Sequence, residues 1–233
     1  GGALHVRGTF ISNEEVHCRS PHAQDAGVGG LIDVDFSSNV GVEGVLSLYG
    51  WAADALEMVD EGHLMLTTTD FNQQATAVFD MHVMQQLEYF DARFKLLMGG
   101  GNAGEGVSFC VGELPSVAFD ESGEAVGLCV MFSTSSGCIE AMYNGQLLSR
   151  REVAVDVLRS MDRFVDVRIQ HTNTGLLVEY DGVVYMEKLL VTGWSSMSLS
   201  SHWQFGIAAR TGATQSDNHW LDDVLIKSGA FME

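Results

Sequence analysis

The stretch from His63 to Val111 alternates apolar strands with polar or glycine-rich turns. It reads HLMLTTTDFNQQATAVF from position 63, LEYFDARFKLLM from position 87, a glycine run at 99–101 and EGVSFCV from position 105. An apolar residue at every second position is typical of a strand that buries one face, and turn residues between such strands are typical of all-β proteins. This stretch therefore predicts a two-sheet β-sandwich.

Segments of the same kind continue downstream: GLCVMFST (127–134), IEAMYNG (139–145), VDVRIQHTNTGLLVEYDGVVY (165–185), and FGIAARTG followed by HWLDDVLI (205–226). In this order the segments resemble the concanavalin A-like jelly roll of L-type lectins and laminin-G-like domains. The resemblance covers roughly residues 49 to 228. It implies an all-β, two-sheet jelly-roll sandwich, to which we assign residues 46–233.

The first part of the chain, residues 1–45, has a different pattern. A strand ends at Cys18, Ser20-Pro21 follows, and an alternating strand runs from Leu31 to Phe36. This is similar to the carboxy-terminal half of an IPT/TIG domain, an immunoglobulin-like module whose cysteine commonly pairs with one on an earlier strand. We expect a partial IPT/TIG-like segment at 1–45 that lies outside the sandwich. The alternative is an ordinary hairpin with a turn at Pro21.

The composition excludes several classes of partner. The chain has 31 acidic and 12 basic residues, a formal charge of −19, which repels nucleic acid and anionic membranes. Its apolar runs are far shorter than the roughly 20 residues that a bilayer requires, so we expect no membrane insertion. The chain begins at Gly1 without an initiator methionine, and we expect it to be a piece of a longer, multidomain protein.

The resemblance to lectins also implies a candidate carbohydrate site. In legume-type lectins an acidic residue, followed by glycine and the next strand, binds a pair of sugar hydroxyls. The matching residue here is Glu105, and we expect the carbohydrate-binding residues to be Glu105 with its neighbours Gly104 and Gly106. A carboxylate beside backbone amides is suited to accept hydrogen bonds from two hydroxyls. The alternative is that Glu105 is only an exposed carboxylate on a loop.

The metal site of those lectins is not expected in this chain. The family's metal-binding carboxylates match Met131 and Ser133, and the ligand loop that follows is reduced to residues 135–137. We therefore expect no metal ion and no other cofactor. The acidic stretch from Asp217 to Asp223 has two interpretations, a contribution to a Ca2+ site or a closing strand anchored by Trp220 and Leu221.

Alternation along the strands around 107–111 and 128–132 separates two sets of side chains. Cys110, Cys129 and Met131 share one face if these strands are neighbours, as they are in the family. The two cysteines then form either a cross-strand disulfide or a pair of buried free thiols. The opposite face, turned to the other sheet, carries Val107, Phe109, Val111, Leu128, Val130 and Phe132.

We do not expect an enzyme. Glycosidases with this sandwich need two carboxylates about 5 Å apart, usually presented as Glu-x-Asp-x-x-Glu, and the sequence contains no such string. The chain is expected to be a non-enzymatic extracellular or cell-surface module that acts in adhesion or assembly through contact with protein domains of the same or neighbouring chains. The alternative is a metal-independent, glycan-binding lectin domain.

Overall fold

A computed structural model describes residues 29–36, 46–51, 59–60, 62–79, 87–119, 122, 126–194 and 203–229. These residues form strands and one short helix. The elements are β1 (Gly29–Val34), β2 (Leu46–Gly50), β3 (Val59–Asp60), β4 (His63–Thr67), β5 (Gln74–Phe79), β6 (Tyr89–Gly99), β7 (Gly106–Glu113), β8 (Val126–Ser133), β9 (Cys138–Tyr143), β10 (Gln146–Glu152), α1 (Val155–Leu158), β11 (Val165–Thr172), β12 (Gly175–Tyr180), β13 (Val183–Leu189), β14 (Trp203–Arg210) and β15 (Asn218–Gly229).

The strands form two antiparallel sheets, as the alternating pattern predicts. One sheet has the order β13-β12-β11-β6-β15-β4-β3, with β1 also paired to β15. The other has the order β10-β9-β8-β7-β14-β5-β2. Neighbours in space are often distant in the chain, as in the pairing of β6 with β15, which is typical of a jelly roll rather than a meander. No helix among the described residues is long and apolar enough to cross a bilayer.

The core lies between the two sheets, and the predicted register is confirmed. Phe109 of β7, Val130 and Phe132 of β8, and Ile169 of β11 all have 0% exposure and belong to one hydrophobic cluster. Each comes from the inward-facing positions of its strand, because alternate side chains of a strand point to opposite faces of the sheet. The ring of Phe132 packs against Tyr180 across the sandwich, with centroids 5.5 Å apart.

The opposite face of β7 and β8 carries the cysteines. Cys110 and Cys129 are directly opposed in the register, their Cα atoms are 4.2 Å apart, and they form a disulfide. Of the two arrangements that the sequence allows, the structure therefore has the bonded one. Phe119 and Leu114 cover this pair in a second, smaller hydrophobic cluster.

The N-terminal segment differs from expectation where it is described. The predicted alternating strand is present as β1, but it pairs with β15 along Ile32↔Ile226 and Val34↔Val224, so it is part of the sandwich sheet. Ile32 and Val34 are buried in the main core. The placement of this strand outside the sandwich was therefore wrong, because its apolar face completes the sheet next to β15. Residues 1–28, including Cys18 and Pro21, lie outside the described residues, and for them the IPT/TIG-like segment stays a prediction without support.

Candidate functional site

One end of the sandwich is built from connections that bond to one another. We use the term loop end for the segments 68–73, 100–105, 134–137 and 211–217, which join β4 to β5, β6 to β7, β8 to β9 and β14 to β15. The central strand β7 begins here at Gly106, and its neighbour β14 ends here at Arg210. The predicted site residue Glu105 ends the 100–105 segment, directly before β7.

Glycines in the 100–105 segment allow its backbone to touch the 211–217 segment. A Cβ atom on Gly101 would lie 2.0 Å from the carbonyl oxygen of Ser216, and one on Gly104 would lie 2.2 Å from the carbonyl carbon of Gln215. Asn102 extends the contact. Its backbone amide donates to the carbonyl of Ser216 at 2.8 Å, and its side-chain oxygen accepts from the backbone amide of Ser216 at 2.7 Å. The two segments therefore form one packed unit.

The turn at 68–73 is attached to the same unit. The hydroxyl of Thr211 donates to the carbonyl of Asp70 at 2.8 Å and accepts from the amide of Gln73 at 2.9 Å. The amide of Asn72 donates to the carbonyl of Gly212 at 3.0 Å. Phe71, on this turn, is 51% exposed and presents an aromatic ring beside polar loop surface.

Glu105 is held on both its main chain and its side chain. Its carbonyl accepts hydrogen bonds from the amides of Thr134 and Ser135, at 2.8 and 3.2 Å, and from the hydroxyl of Thr134 at 3.1 Å. Its carboxylate lies 3.6 Å from Nη2 of Arg210, and one carboxylate oxygen lies 2.6 Å from the position that a Cβ atom on Gly212 would take. The side chain keeps 23% exposure, so the carboxylate is placed against the loops and still reaches solvent.

The backbone around this carboxylate is strained. Ala103 has φ 71° and Glu105 has φ 52°, the left-handed region that residues with a Cβ atom rarely adopt. Such residues persist only where the surroundings enforce them, and they cluster at ligand-binding and active sites. The bonds to the Glu105 carbonyl supply that enforcement.

The structure gives packing roles to the two glycines of the predicted site, which flank Glu105 in the chain. Gly104 is buried against the backbone of the 211–217 segment, as described above. Gly106 begins β7 where a Cβ atom would lie 2.1 Å from the carbonyl oxygen of Phe132. Both glycines are required by close backbone approach, and the side chain of Glu105 between them keeps partial exposure to solvent.

The donor atoms around residues 133–138 do not fit a Ca2+ ion. Ca2+ takes six to eight oxygen ligands, several of them carboxylates. Ser133 is bonded instead to the hydroxyls of Ser136 at 2.7 Å and Ser135 at 3.1 Å. Ser136 also lies 3.0 Å from the sulfur of Cys138, a thiol whose pKa is raised by burial and which stays neutral. These neutral hydroxyls and a thiol replace the carboxylates that the metal site of legume-type lectins would need.

Elsewhere in the described part of the chain, one acidic group has metal-compatible spacing. Ligand oxygens of Asp35, Asp222 and Asp223 lie within 4.8 Å of one another on the outer face of the sheet that contains β1 and β15. Lys95 forms an ion pair with Asp223, so the ammonium group of this lysine is already bound to one of the three carboxylates. For the stretch 217–223, the interpretation as a closing strand is confirmed in part, since Leu221 is fully buried in the core and anchors β15.

Sequence reasoning missed an ion pair that joins two segments of the loop end to the residue that follows α1. The guanidinium of Arg159, just after α1, donates through Nε to Oδ2 of Asp217 at 3.0 Å and through Nη2 to Oδ1 at 2.8 Å. The amide of Gly101 donates to the same Oδ1 at 3.0 Å. No local sequence signal indicates this contact, because the partners are 58 positions apart.

Comparisons with known proteins identify the fold. Neither a known family model nor a curated protein matches the chain. Among solved structures, the exoplasmic/lumenal domain of VIP36 in its metal-free form matches with a TM-score of 0.65 at 15% identity, covering 88% of this chain and 93% of that one. Lectin I-B4 from Griffonia simplicifolia, also metal-free, gives 0.64 at 16% identity over 85% of this chain and 100% of the other. Lectin II from Ulex europaeus gives 0.64 at 13% identity, over 85% and 99%.

These likenesses confirm the predicted fold. The chain is an all-β, concanavalin A-like jelly-roll sandwich, the architecture that legume lectins and the lumenal domain of VIP36 share. Identities this low establish the fold alone, and function has to be argued from the loop end itself.

Proposed function

We propose that this domain is a non-enzymatic lectin that binds a glycan at the loop end, with Glu105 as the central hydrogen-bond acceptor. The observation that carries the proposal is the placement of the Glu105 carboxylate. The main chain of Glu105 is held by the hydrogen bonds from Thr134 and Ser135. Its carboxylate lies 3.6 Å from Nη2 of Arg210, and the side chain remains 23% exposed. A carboxylate carried by a fixed main chain needs less ordering to bind a pair of sugar hydroxyls than one on a mobile loop.

Phe71 supplies the apolar part of the proposed site. Its ring is 51% exposed, and the turn that carries it is bonded to Gly212, the residue that the Glu105 carboxylate touches. Sugars present both hydroxyl edges and C–H faces, so they are bound by a polar acceptor combined with an aromatic ring. The turn that carries Phe71 and the carboxylate of Glu105 both lie beside Gly212, so an aromatic ring and a hydrogen-bond acceptor belong to the same end of the sandwich.

The known lectins of this fold support the proposal and define one difference. VIP36 has been solved in Ca2+-bound forms with mannose, with Man2 and with Man3GlcNAc. In the present chain the donor atoms of residues 133–138 do not suit Ca2+. We therefore propose metal-independent binding.

The disulfide supports a location outside the cytosol. Cys110 and Cys129 are bonded, and structural disulfides persist in extracellular and lumenal compartments but are rare in the cytosol. The domain of VIP36 that matches the chain is described as exoplasmic/lumenal. We propose an extracellular, cell-surface or secretory-pathway location on these grounds.

A second candidate function is contact with other protein domains in adhesion or assembly. It is favoured by exposed apolar residues on β10 and β13, the outermost strands of the two sheets at one side. Leu147 is 56% exposed, Val183 is 51% exposed, and Leu190, just after β13, is 70% exposed. Edge strands with exposed apolar side chains are suited to pairing with another chain.

A glycan array with the whole chain separates the two candidates. We expect saturable binding that free glycan competes, and we expect Glu105→Gln to abolish it while the unfolding temperature stays the same. A charge-assisted hydrogen bond contributes about 1.5 to 3 kcal/mol, which weak lectin binding cannot lose and survive. Glu187→Gln is the matched control, because this carboxylate is 63% exposed on β13. An empty array for the unsubstituted chain would reject the lectin proposal and leave protein contact as the better candidate.

A further inference from the structure

We propose that Asp217 and Arg159 are positioning residues. They hold residues 99–104, which we call the glycine segment, in the conformation that binds ligand. This inference rests on the proposed function of the loop end, and it assigns to an ion pair the ordering of loops around the site. Neither residue is placed in contact with the glycan. Their effect is exerted through Gly101 and, from there, through the short segment that leads to Glu105.

The pair has the geometry of a fixed connection rather than a surface ion pair. Both carboxylate oxygens of Asp217 accept from the guanidinium of Arg159, at 2.8 and 3.0 Å. The Asp217 side chain is 0% exposed and that of Arg159 is 16% exposed. A forked, buried arginine–carboxylate pair fixes both partners in one orientation, whereas exposed pairs are mobile and contribute little.

Gly101 is bonded to both partners. Its amide donates to Oδ1 of Asp217 at 3.0 Å, and its carbonyl accepts from Nη2 of Arg159 at 2.8 Å. Glycine has no side chain that could restrict its own backbone, so these bonds select the conformation of the segment. The ion pair therefore acts on the main chain of the glycine segment directly.

The two residues that follow Arg159 are bonded to the end of β6, the strand that leads into this segment. The amide of Met161 donates to the carbonyl of Met98 at 3.1 Å, and the amide of Met98 donates to the hydroxyl of Ser160 at 3.1 Å. A Cβ atom on Gly99 would lie 2.7 Å from Cα of Met161, so the two chains are in close backbone contact. The backbone next to Arg159 is therefore attached to the end of β6, and the guanidinium is held in a constant position relative to that strand.

Hydrogen exchange measured on the whole chain tests the positioning role without any ligand. Asp217→Asn keeps the shape but removes the charge, and Arg159→Lys keeps the charge but loses the fork. We expect amides in 99–104 to exchange at least about tenfold faster in both variants, while amides in β7 and β8 keep their wild-type rates. The matched control is Asp181→Asn, which breaks the forked but exposed pair with Arg163, whose side chains are 37% and 59% exposed.

The outcomes are separable from those of the lectin proposal. Titration with a mannose disaccharide should show at least about tenfold weaker binding for Arg159→Lys and no change for Asp181→Asn. If the unsubstituted chain binds neither this disaccharide nor any glycan on the array, the lectin proposal fails, and the exchange data still decide the positioning role. Uniformly faster exchange across the sheets would indicate a pair that only stabilises the fold and would overturn the inference, as would unchanged exchange in 99–104. If Asp217→Asn does not fold, Arg159→Lys decides alone.

Discussion

The hydroxyl oxygen of Thr67 lies 2.7 Å from Nδ1 of His219, across the pair of strands β4 and β15, and both residues have 0% exposure. The same hydroxyl donates its hydrogen to the carbonyl of Asp217 at 3.0 Å. It therefore accepts from Nδ1, which leaves Nε2 of the ring without a proton and, among the described residues, without a hydrogen-bond partner. The fold thus holds His219 as a neutral tautomer directly beneath the loop end.

This arrangement predicts that the protein loses stability as the pH falls. Burial lowers the pKa of His219 to about 4, although the charge of Asp217 opposes the shift. The unfolded chain takes up the proton near its usual pKa of about 6.5, so between these values the unfolded state binds more protons than the folded state. We expect the free energy of unfolding to be unaffected by this group above about pH 7 and to fall by roughly 3 kcal/mol as the pH decreases from 7 to 4.

Urea denaturation of His219→Asn at pH 7 and at pH 4.5 provides the check. The amide of asparagine can occupy the place of Nδ1 beside Thr67 but does not titrate. The pKa of His171 is also lowered by burial, and because this residue is present in both proteins the comparison isolates His219. Equal pH dependence in the variant and the unsubstituted protein would contradict the assignment.

The register of β8 predicts a large effect at Phe132. This ring is fully buried and packs against Tyr180 between the sheets, so Phe132→Ala should lower the free energy of unfolding by about 3 to 5 kcal/mol. Phe71→Ala is the matched control, because that ring is 51% exposed and its loss should cost less than about 1 kcal/mol. Similar costs for the two substitutions, measured by denaturant unfolding, would contradict the register.

The parts of the fold that were predictable are those that the local pattern encodes. Alternation in GVSFCVGE and VGLCVMFS places Phe109 and Val130 inside and puts Cys110 and Cys129 on the opposite face, because a strand has a fixed period of two. That these two strands are neighbours was implied by the resemblance to the family. The pairing of β1 with β15 was not predictable in this way, since the same alternating pattern suits a strand of any sheet. The contact between Arg159 and Asp217 depends on how distant connections pack, and no spacing rule describes it.

Removal of divalent cations should leave the fold unchanged. Around Ser133 the oxygens are hydroxyls bonded to one another, and the Asp217 carboxylate is paired with Arg159, so we expect no cation binding at the loop end to be coupled to folding. We expect the unfolding temperature to change by less than a few degrees when EDTA is added. A larger drop, measured by calorimetry, would contradict this prediction. If Asp222→Asn abolished such a drop, the cation would be assigned to the group formed by Asp35, Asp222 and Asp223.

Two glycine substitutions test separately the packing of the loop end and the placement of its carboxylate. Neither Gly104 nor Gly212 has a positive φ, so an added methyl group acts through contact alone. In Gly104→Ala the methyl group would meet the backbone of Gln215 at 2.2 Å, which cannot rotate away, and we expect a loss of about 1 to 3 kcal/mol in the free energy of unfolding.

In Gly212→Ala the methyl group would meet a carboxylate oxygen of Glu105 at 2.6 Å, the far end of a side chain that can rotate. Stability should then stay within about 0.5 kcal/mol of the unsubstituted protein, while the carboxylate leaves the position proposed for the sugar. We expect glycan binding to become about tenfold weaker, which corresponds to a loss of about 1.4 kcal/mol of binding free energy. Titration with the glycan that the array identifies measures this change. Unchanged binding by a stable Gly212→Ala protein would show that the position of the Glu105 carboxylate does not determine recognition.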